Sequence, residues 1–322
     1  MPLYKGRGAA LIMVLVVAVV LTLLLTTAAT LMENRMQLAE RSKRVAEDTI
    51  ALHSKLNELV YLVATQRITF AGVSQGTRQE AQLQNEDGLF MIPIVGDELR
   101  YDGHPYSFAD EFYFSIQNTD GLLPVNSADQ LWLERWLAQQ QIGFLTRNTL
   151  LQSLADYADE DNWRRAAGAE RQQYENNGLP PPTNFLLQQC SELYGVLNWP
   201  DLLEQFPALT GLCALRRAPQ LNLNAVPEAL WGVLWPNSLQ RVLADRAQGR
   251  FMINDTDAIG YAPELMTVPE AYYTTLGGSR FRITVYSDTT SITREVQIGR
   301  DTQFPFRLRS VAASGIEKTP LD

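Results

Sequence analysis

A long run without charge lies near the N-terminus of this 322-residue chain, from Ala9 to Met32. As a helix it would span roughly 36 Å, more than the hydrocarbon core of a bilayer, which is about 30 Å thick. Neither glycine nor proline occurs between Ala9 and Ala71, so no helix breaker interrupts these 63 residues. The sequence therefore predicts one helix that crosses a membrane and continues well beyond it.

The charges that flank the apolar run predict its orientation. Lys5 and Arg7 precede it, and short basic N-termini tend to stay in the cytoplasm, so we expect the rest of the chain to be exported. A cleaved secretory signal is the alternative, with small residues at 27–29 near its end. The apolar run is longer than the about 7–15 residues usual in such signals, which favours the continuous helix.

Apolar side chains recur along the part of this helix that lies beyond the membrane. From Val45 onward their spacing is heptad-like, with charged residues between them. The seam consists of Val45, Thr49, Leu52, Leu56, Leu59 and Val63. We expect the last turns to pack on the protein's own domain, and the turns nearest the membrane to need another helix.

Composition excludes several classes of function. The net charge of -9 would repel phosphate backbones, so no nucleic-acid partner is expected. The chain has two histidines and lacks the nucleophile-elbow, zinc-protease and phosphate-loop motifs, so no enzyme is expected. Its two cysteines, Cys190 and Cys213, would form a disulfide worth about 3 kcal/mol in an oxidising compartment. Two buried free thiols are the alternative.

Beyond Gly72, where the long helix should end, strands flank a helix-rich block. We expect a loop over 73–86, strands at 89–95, 99–101 and 111–116, and a β-hairpin with strands at 280–286 and 292–298. Helices are predicted at about 129–141, 148–157, 184–196, 200–206, 226–234 and 237–247, with Asn126 or Ser127 capping the first and Asn224 the fifth. The segment from Ala312 onward should be a frayed tail.

The first residues resemble a type IV prepilin leader. Residues 1–8 are short and basic, end in Gly8, and precede the apolar helix. The resemblance implies cleavage by a prepilin peptidase after Gly8 and methylation of the new N-terminus at Ala9. Most pilins carry glutamate at the fifth mature position, where this chain has Met13. Protein K, a large pseudopilin of type II secretion systems, is the member that departs from glutamate here.

Three further stretches resemble the protein K family. They are Asn118–Asn126, the acidic stretch Leu154–Asp161 with Gly168–Glu170 and Tyr174, and Leu221–Glu228. The resemblance implies an α+β, type IV pilin-like fold, in which a long N-terminal helix and an antiparallel sheet carry a large helical domain inserted in the sheet. The implied parts are the leader 1–8, the transmembrane half 9–32 and exported half 33–72 of the helix, a β part 73–121, the inserted helical domain 122–272, and a closing hairpin and tail 273–322.

The acidic stretch is the best candidate for a site. Asp156, Asp159 and Asp161 lie close together, and Glu170 follows beyond a short loop. Spacing alone favours a solvated helix end with Arg164 or Arg165 as counter-ion, because this is no EF-hand loop. The resemblance to protein K implies calcium instead, bound by Asp159, Asp161 and Glu170, with Asp156 as a structural residue. A second acidic pair, Asp255 and Asp257, reads more readily as a turn than as another site.

The resemblance also implies a function. The chain would be a single-pass protein of the bacterial inner membrane with a periplasmic C-terminal domain. It would sit at the tip of the type II secretion pseudopilus, begin assembly there with the minor pseudopilins I and J, and support export across the outer membrane. A minor pilin of a type IV pilus and a single-pass anchored hydrolase are the alternatives.

Overall fold

The computed structural model describes residues 7–77, 94–108, 111–299 and 306–315. Within these ranges the α-helices are α1 Arg7–Thr65, α2 Leu131–Gln139, α3 Phe144–Ala158, α4 Arg171–Asn176, α5 Pro200–Gln205, α6 Leu209–Leu212, α7 Glu228–Leu234, α8 Leu239–Ala247 and α9 Asp255–Tyr261. The strands are β1 Gly72–Ser74, β2 Glu98–Arg100, β3 Asp102–Ser107, β4 Tyr113–Asn118, β5 Leu123–Pro124, β6 Cys213–Ala214, β7 Leu221–Asn222, β8 Tyr273–Thr274, β9 Arg280–Tyr286, β10 Thr290–Ile298 and β11 Phe306–Gly315. The predicted α+β class is confirmed.

The helix α1 is continuous over 59 residues, as the missing breakers predicted. By length and composition it can cross a membrane, and none of its most apolar window is buried inside the protein. It ends at Thr65, earlier than the predicted end at Gly72. The chain reverses over 67–74 instead, where the backbone N–H of Thr69 donates to the carbonyl oxygen of Gly72 at 2.8 Å.

Gly72 has a different role from the one expected. It opens β1, which pairs with β2, so part of the predicted loop 73–86 is a strand. A Cβ on Gly72 would lie 2.0 Å from the carbonyl oxygen of Leu99, so only glycine permits this close pairing. Residues 75–77 follow β1 without helix or strand, while residues 78–86 of that loop and 89–93 of the predicted strand 89–95 lie outside the described residues.

The main sheet has five strands in the order β11-β10-β9-β4-β3, and every neighbouring pair is antiparallel. The hairpin of β9 and β10 is confirmed, and β4 covers most of the predicted strand 111–116. The last strand, β11, includes residues 312–315, so the expectation of a frayed tail from Ala312 is wrong there. Pairing with β10 supplies partners for this backbone, which the sequence did not reveal.

The exported end of α1 packs on one face of this sheet. Its seam residues Leu52 and Leu56 are fully buried, in one apolar core with Phe281, Ile283 and Val285 of β9. Towards the membrane the same helix is exposed, since Leu38 is 66% exposed. The sequence anticipated both halves of this arrangement, because the seam repeats in a heptad-like way only from Val45 onward.

The inserted block, from β5 to β8, has a second apolar core of its own. Five tryptophans from three segments build its centre: Trp132, Trp136, Trp199, Trp231 and Trp235. The block leaves the sheet after β4 and returns at β9, and these two strands are neighbours, with Asn118 opposite Phe281. An insertion between paired strands leaves the sheet intact.

Several helix boundaries within the insert differ from the prediction. Asn126 does not cap α2; its side chain exchanges two hydrogen bonds with the backbone of Leu187, at 2.9 and 3.0 Å. That contact holds the segment before Cys190 out of helical geometry, so only a 3-10 helix at Cys190–Gly195 replaces the predicted helix 184–196. The helices α4, α6 and α9 were not predicted.

Asn224 is likewise not a cap. It lies in a 3-10 helix, Leu223–Ala225, that is capped by Asn222, whose Oδ1 accepts from the Asn224 N–H at 3.1 Å. The Asn224 side chain donates to the carbonyl oxygens of Met252 and Thr275, at 2.7 and 2.8 Å. It therefore links three segments of the insert, which is a long-range role that local spacing does not show.

A buried ion pair joins the insert to the sheet. Arg246 on α8 donates from Nη1 to Asp102 on β3 at 2.8 Å, and both side chains are 2% exposed. The same guanidinium donates to the carbonyl oxygens of Val226 and Leu223, both at 2.9 Å. Arg282 on β9 adds contacts from its guanidinium to the backbone around β6. The two cores are thus linked through directional polar contacts.

The predicted disulfide is present. Cys190 and Cys213 are bonded, with their Cα atoms 6.0 Å apart. The bond ties the 3-10 helix at Cys190–Gly195 to β6, and β6 pairs with β5 at the start of the insert.

Replacement of Leu56 by alanine should destabilise the packing of α1 on the sheet. We expect a loss of about 2–5 kcal/mol, because the removed atoms leave a cavity in a closed core. Ile50→Ala is the matched control, since Ile50 is 73% exposed on the same helix. Urea unfolding of the full chain in neutral detergent, followed by circular dichroism, would measure both. Equal losses in the two variants would contradict this packing.

The double substitution Cys190→Ser with Cys213→Ser should lower the free energy of unfolding of the insert by about 3 kcal/mol, since the open chain gains loop entropy. All six tryptophans lie between 132 and 235, so their fluorescence reports this unit. Dithiothreitol should cause the same loss in the original chain and none in the double variant. A reductant effect that persists in the double variant would refute this explanation.

Candidate metal centre

The acidic stretch lies where α3 ends. Asp159 is the C-cap residue, and its backbone N–H donates to the carbonyl oxygen of Ala155 at 3.1 Å. A loop then runs to Glu170, the N-cap residue of α4, whose backbone N–H donates to Oε1 of Gln173 at 3.0 Å. Two helix termini therefore bring distant parts of the sequence together.

Three carboxylates meet at this point. One oxygen each of Asp159, Asp161 and Glu170 lies within 4.8 Å of the other two. Glu170 is 6% exposed, Asp159 is half-buried, and Asp161 is exposed, so the cluster is open to solvent on one side. These are the three residues that the sequence analysis proposed as ligands.

Several of these carboxylate oxygens lack hydrogen-bond donors. Both carboxylate oxygens of Glu170 and Oδ1 of Asp159 are buried without a full hydrogen bond among the described residues, although the backbone N–H of Arg171 lies close enough to Glu170 to oppose the rise of its pKa. Burial raises the pKa of Glu170, and the charges of Asp156 and Asp159 raise it further. Buried carboxylate oxygens in this state fit a hard cation, and calcium accepts such oxygen ligands with waters completing its shell.

Asp156 belongs to a different arrangement. It is fully buried, and its Oδ1 lies 2.5 Å from Nη1 of Arg165, while its Oδ2 accepts the Arg165 backbone N–H at 3.1 Å. The same Nη1 lies 2.5 Å from Oδ2 of Asp159. Arg165 is therefore a counter-ion, as the alternative reading of the sequence held, but it leaves the other oxygen of Asp159 without a donor.

The loop geometry depends on two residues, Gly168 and Asn184, to which the sequence analysis gave no role at the site. A Cβ on Gly168 would lie 2.0 Å from Oδ2 of Asp156, so only glycine fits there. Asn184 donates from Nδ2 to the backbone carbonyl oxygen of Asp161 at 2.7 Å. The glycine was visible in the sequence, but its contact with Asp156 required the fold.

The second acidic pair forms a helix terminus. Asn254 caps α9 by accepting the N–H of Asp257 at 2.9 Å, and Oδ2 of Asp257 accepts the N–H of Ile253 at 2.9 Å. Both acidic residues lie in the first turn, where the helix dipole favours negative charge. This pair therefore has a local structural explanation.

Comparison with known proteins gives two findings. The family described as type II secretion system (T2SS), protein K, matches residues 114–206. A chain in the crystal structure of the GspK-GspI-GspJ complex from the enterotoxigenic Escherichia coli type 2 secretion system is similar, with a TM-score of 0.54 and 14% sequence identity. The similarity covers 85% of this chain and 98% of that chain. No curated protein sequence matches.

The two findings concern different properties. The family match concerns the amino-acid sequence. It runs from β4 through the first part of the insert and includes the whole acidic loop. The structural similarity, at this low identity, concerns the fold and confirms the pilin-like architecture. The chain is therefore similar in sequence to protein K over residues 114–206, and similar in fold to a chain of the GspK-GspI-GspJ complex.

Proposed function

We propose that this chain is the minor pseudopilin at the tip of the periplasmic pseudopilus in a bacterial type II secretion system. It begins assembly there with the minor pseudopilins of the I and J types, and the fibre supports protein export across the outer membrane. The observation that carries the proposal is the position of the insert at the end of the sheet farthest from the apolar half of α1.

Side-chain contacts define the two ends of the sheet. The turn between β9 and β10 lies toward the apolar half of α1, since Asp48 accepts hydrogen bonds from Ser287 and Thr289, at 3.0 and 2.6 Å. The insert joins at the opposite end, where Asn118 pairs with Phe281. A bulky domain there would obstruct any subunit stacked farther from the membrane, so an end position is the one compatible with a fibre.

The exposed half of α1 supports a role in assembly. Its apolar side chains have no cover within the described protein; Leu31, for example, is 61% exposed. In the inner membrane, lipid would cover residues 9–32, and in the fibre the helices of neighbouring subunits would replace the lipid. Met13 carries no charge, so extraction from the bilayer needs no buried carboxylate.

Prepilin processing is a second part of the proposal. A prepilin peptidase removes residues 1–8, and Ala9 becomes the methylated N-terminus. Residues 1–6 lie outside the described part of the chain, and α1 begins at Arg7. Removal of the leader discards Lys5 and Arg7, which otherwise hold the N-terminus at the cytoplasmic surface.

Calcium binding at Asp159, Asp161 and Glu170 is the third part. The cation would neutralise carboxylates that now repel one another, and it would fix the loop between α3 and α4. Arg165 and Asp156 would remain an ion pair beside it. The role is structural, because a rigid insert presents a constant surface to the neighbouring subunits.

Gly8→Ala should block removal of the leader, because the peptidase reads the glycine at the cleavage position. Mass analysis of the membrane-extracted protein should show a methylated Ala9 for the original chain and an intact leader for the variant. Gly6→Ala is the matched control and should be processed normally. The uncleaved variant should also fail to co-isolate with the I-type and J-type pseudopilins. Normal processing of Gly8→Ala would contradict the pseudopilin assignment.

Calcium should raise the melting temperature of the full chain in detergent. A concentration 100-fold above Kd adds about 2.7 kcal/mol, or roughly 5 °C. Glu170→Gln and Asp159→Asn should lose most of this shift, while Glu160→Gln, an exposed residue of the same loop, should keep it.

Without calcium, Glu170→Gln should melt no lower than the original chain, because it removes like-charge repulsion. This separates loss of a ligand from loss of folding. An unchanged melting temperature of the original chain on addition of calcium would refute the metal site and leave the fibre-tip proposal untouched.

A further inference from the structure

A basic cleft lies between the insert and the polar face of the sheet. Its volume is about 550 Å³. Residues from β9 and β10 line one side, and the segments 186–188 and 215–220 of the insert line the other. Three arginines border it: Arg216, Arg217 and Arg280.

Arg216 forms the closed part of this cleft. It is 6% exposed, and its Nη2 donates to the carbonyl oxygens of Gln220 and Asp120, at 2.6 and 3.1 Å. Its Nε lies 3.3 Å from Oδ1 of Asp120, so these two charges compensate each other. Arg216 thereby fixes this wall of the cleft and the backbone position of the next residue, Arg217.

The other two arginines are not compensated. Neither Arg217 nor Arg280 has a side-chain hydrogen bond or ion pair in the described part of the chain. The remaining carboxylate of the cleft, Glu295, already accepts from Arg282 at 2.8 Å. The cleft therefore carries a local excess of positive charge on a protein whose net charge is -9. Two free guanidinium groups in one recess favour anionic groups.

The rest of the lining favours a peptide over a small inorganic anion. Leu187 is buried, and Leu186 and Leu215 are half-buried, so apolar surface lies next to the cations. A planar guanidinium binds a carboxylate through two parallel hydrogen bonds, while the apolar wall accommodates the aliphatic part of an acidic side chain. A peptide with adjacent acidic residues matches both features.

We propose that this cleft binds an acidic peptide segment of another protein, with Arg217 and Arg280 as the residues that hold its carboxylates. The site is separate from the acidic loop, and its test does not depend on fibre assembly. Arg216 serves as a positioning residue, since its Nη2 donates to carbonyl oxygens of the chain and its charge is compensated by Asp120.

The test uses the full chain in neutral detergent and a fluorescein-labelled peptide, acetyl-Gly-Asp-Glu-Asp-Gly-amide. Fluorescence anisotropy should show saturable binding of this peptide and none of its neutral counterpart with Asn and Gln. Arg217→Gln and Arg280→Gln should each weaken binding about tenfold, as expected for loss of one charge-assisted contact. Both variants should keep the melting temperature of the original chain, because neither side chain has a hydrogen bond or ion pair within the described ranges.

Arg44→Gln is the matched control, since it removes one positive charge from an exposed position on α1 and should leave binding unchanged. Inorganic phosphate should compete only at concentrations far above those of unlabelled peptide. The proposal would be overturned by absence of saturable binding, by equal losses in the Arg44 and Arg217 variants, or by phosphate competing as well as the peptide does.

Discussion

The buried pair of Arg246 and Asp102 is the contact on which the relation between the two halves of the protein depends. Each half has its own apolar core, so burial of apolar surface stabilises each half separately and says little about their relative position. A guanidinium that bonds one carboxylate and two carbonyl oxygens has a single compatible geometry. Removal of Asp102 would leave the buried Arg246 guanidinium without its carboxylate, which typically costs about 3–5 kcal/mol. Removal of Arg246 would leave Asp102 paired with Arg100 at 2.5 Å. The pair therefore specifies orientation more than it adds stability.

Periodic features of the sequence were sufficient to predict the long helix and the central β-hairpin. The uninterrupted helix, the seam from Val45 to Val63 and the alternation in β9 and β10 are local patterns, and each gave the right element. The ends of helices and strands were less predictable, because they depend on hydrogen-bond partners far along the chain. Gly72 serves strand pairing, and Asn126 and Asn224 bond to residues far along the chain. Asparagines placed where a helix cap is expected thus form long-range hydrogen bonds instead.

In the candidate metal centre, too, part of the arrangement could be predicted from the sequence and part depends on the fold. Resemblance to protein K identified Asp159, Asp161 and Glu170, and the fold brings one oxygen of each into a single cluster. Spacing alone had favoured an arginine counter-ion, and Arg165 indeed neutralises Asp156 and part of Asp159. The two readings are compatible because a carboxylate has two oxygens that can serve different partners. Sequence could not reveal this, since the division of the two oxygens depends on how the loop turns at Gly168.

The attachment of the insert has a consequence for how such a chain could be shortened. Because the polypeptide departs after β4 and returns at its neighbour β9, the two cut ends lie one strand spacing apart, about 5 Å. A tight two-residue connection could replace the whole block and leave an ordinary small pilin-type scaffold. Asp102 would then lose Arg246 and keep Arg100 as its guanidinium partner. The insert is separable in topology, but the charge of Asp102 would remain at the former point of attachment.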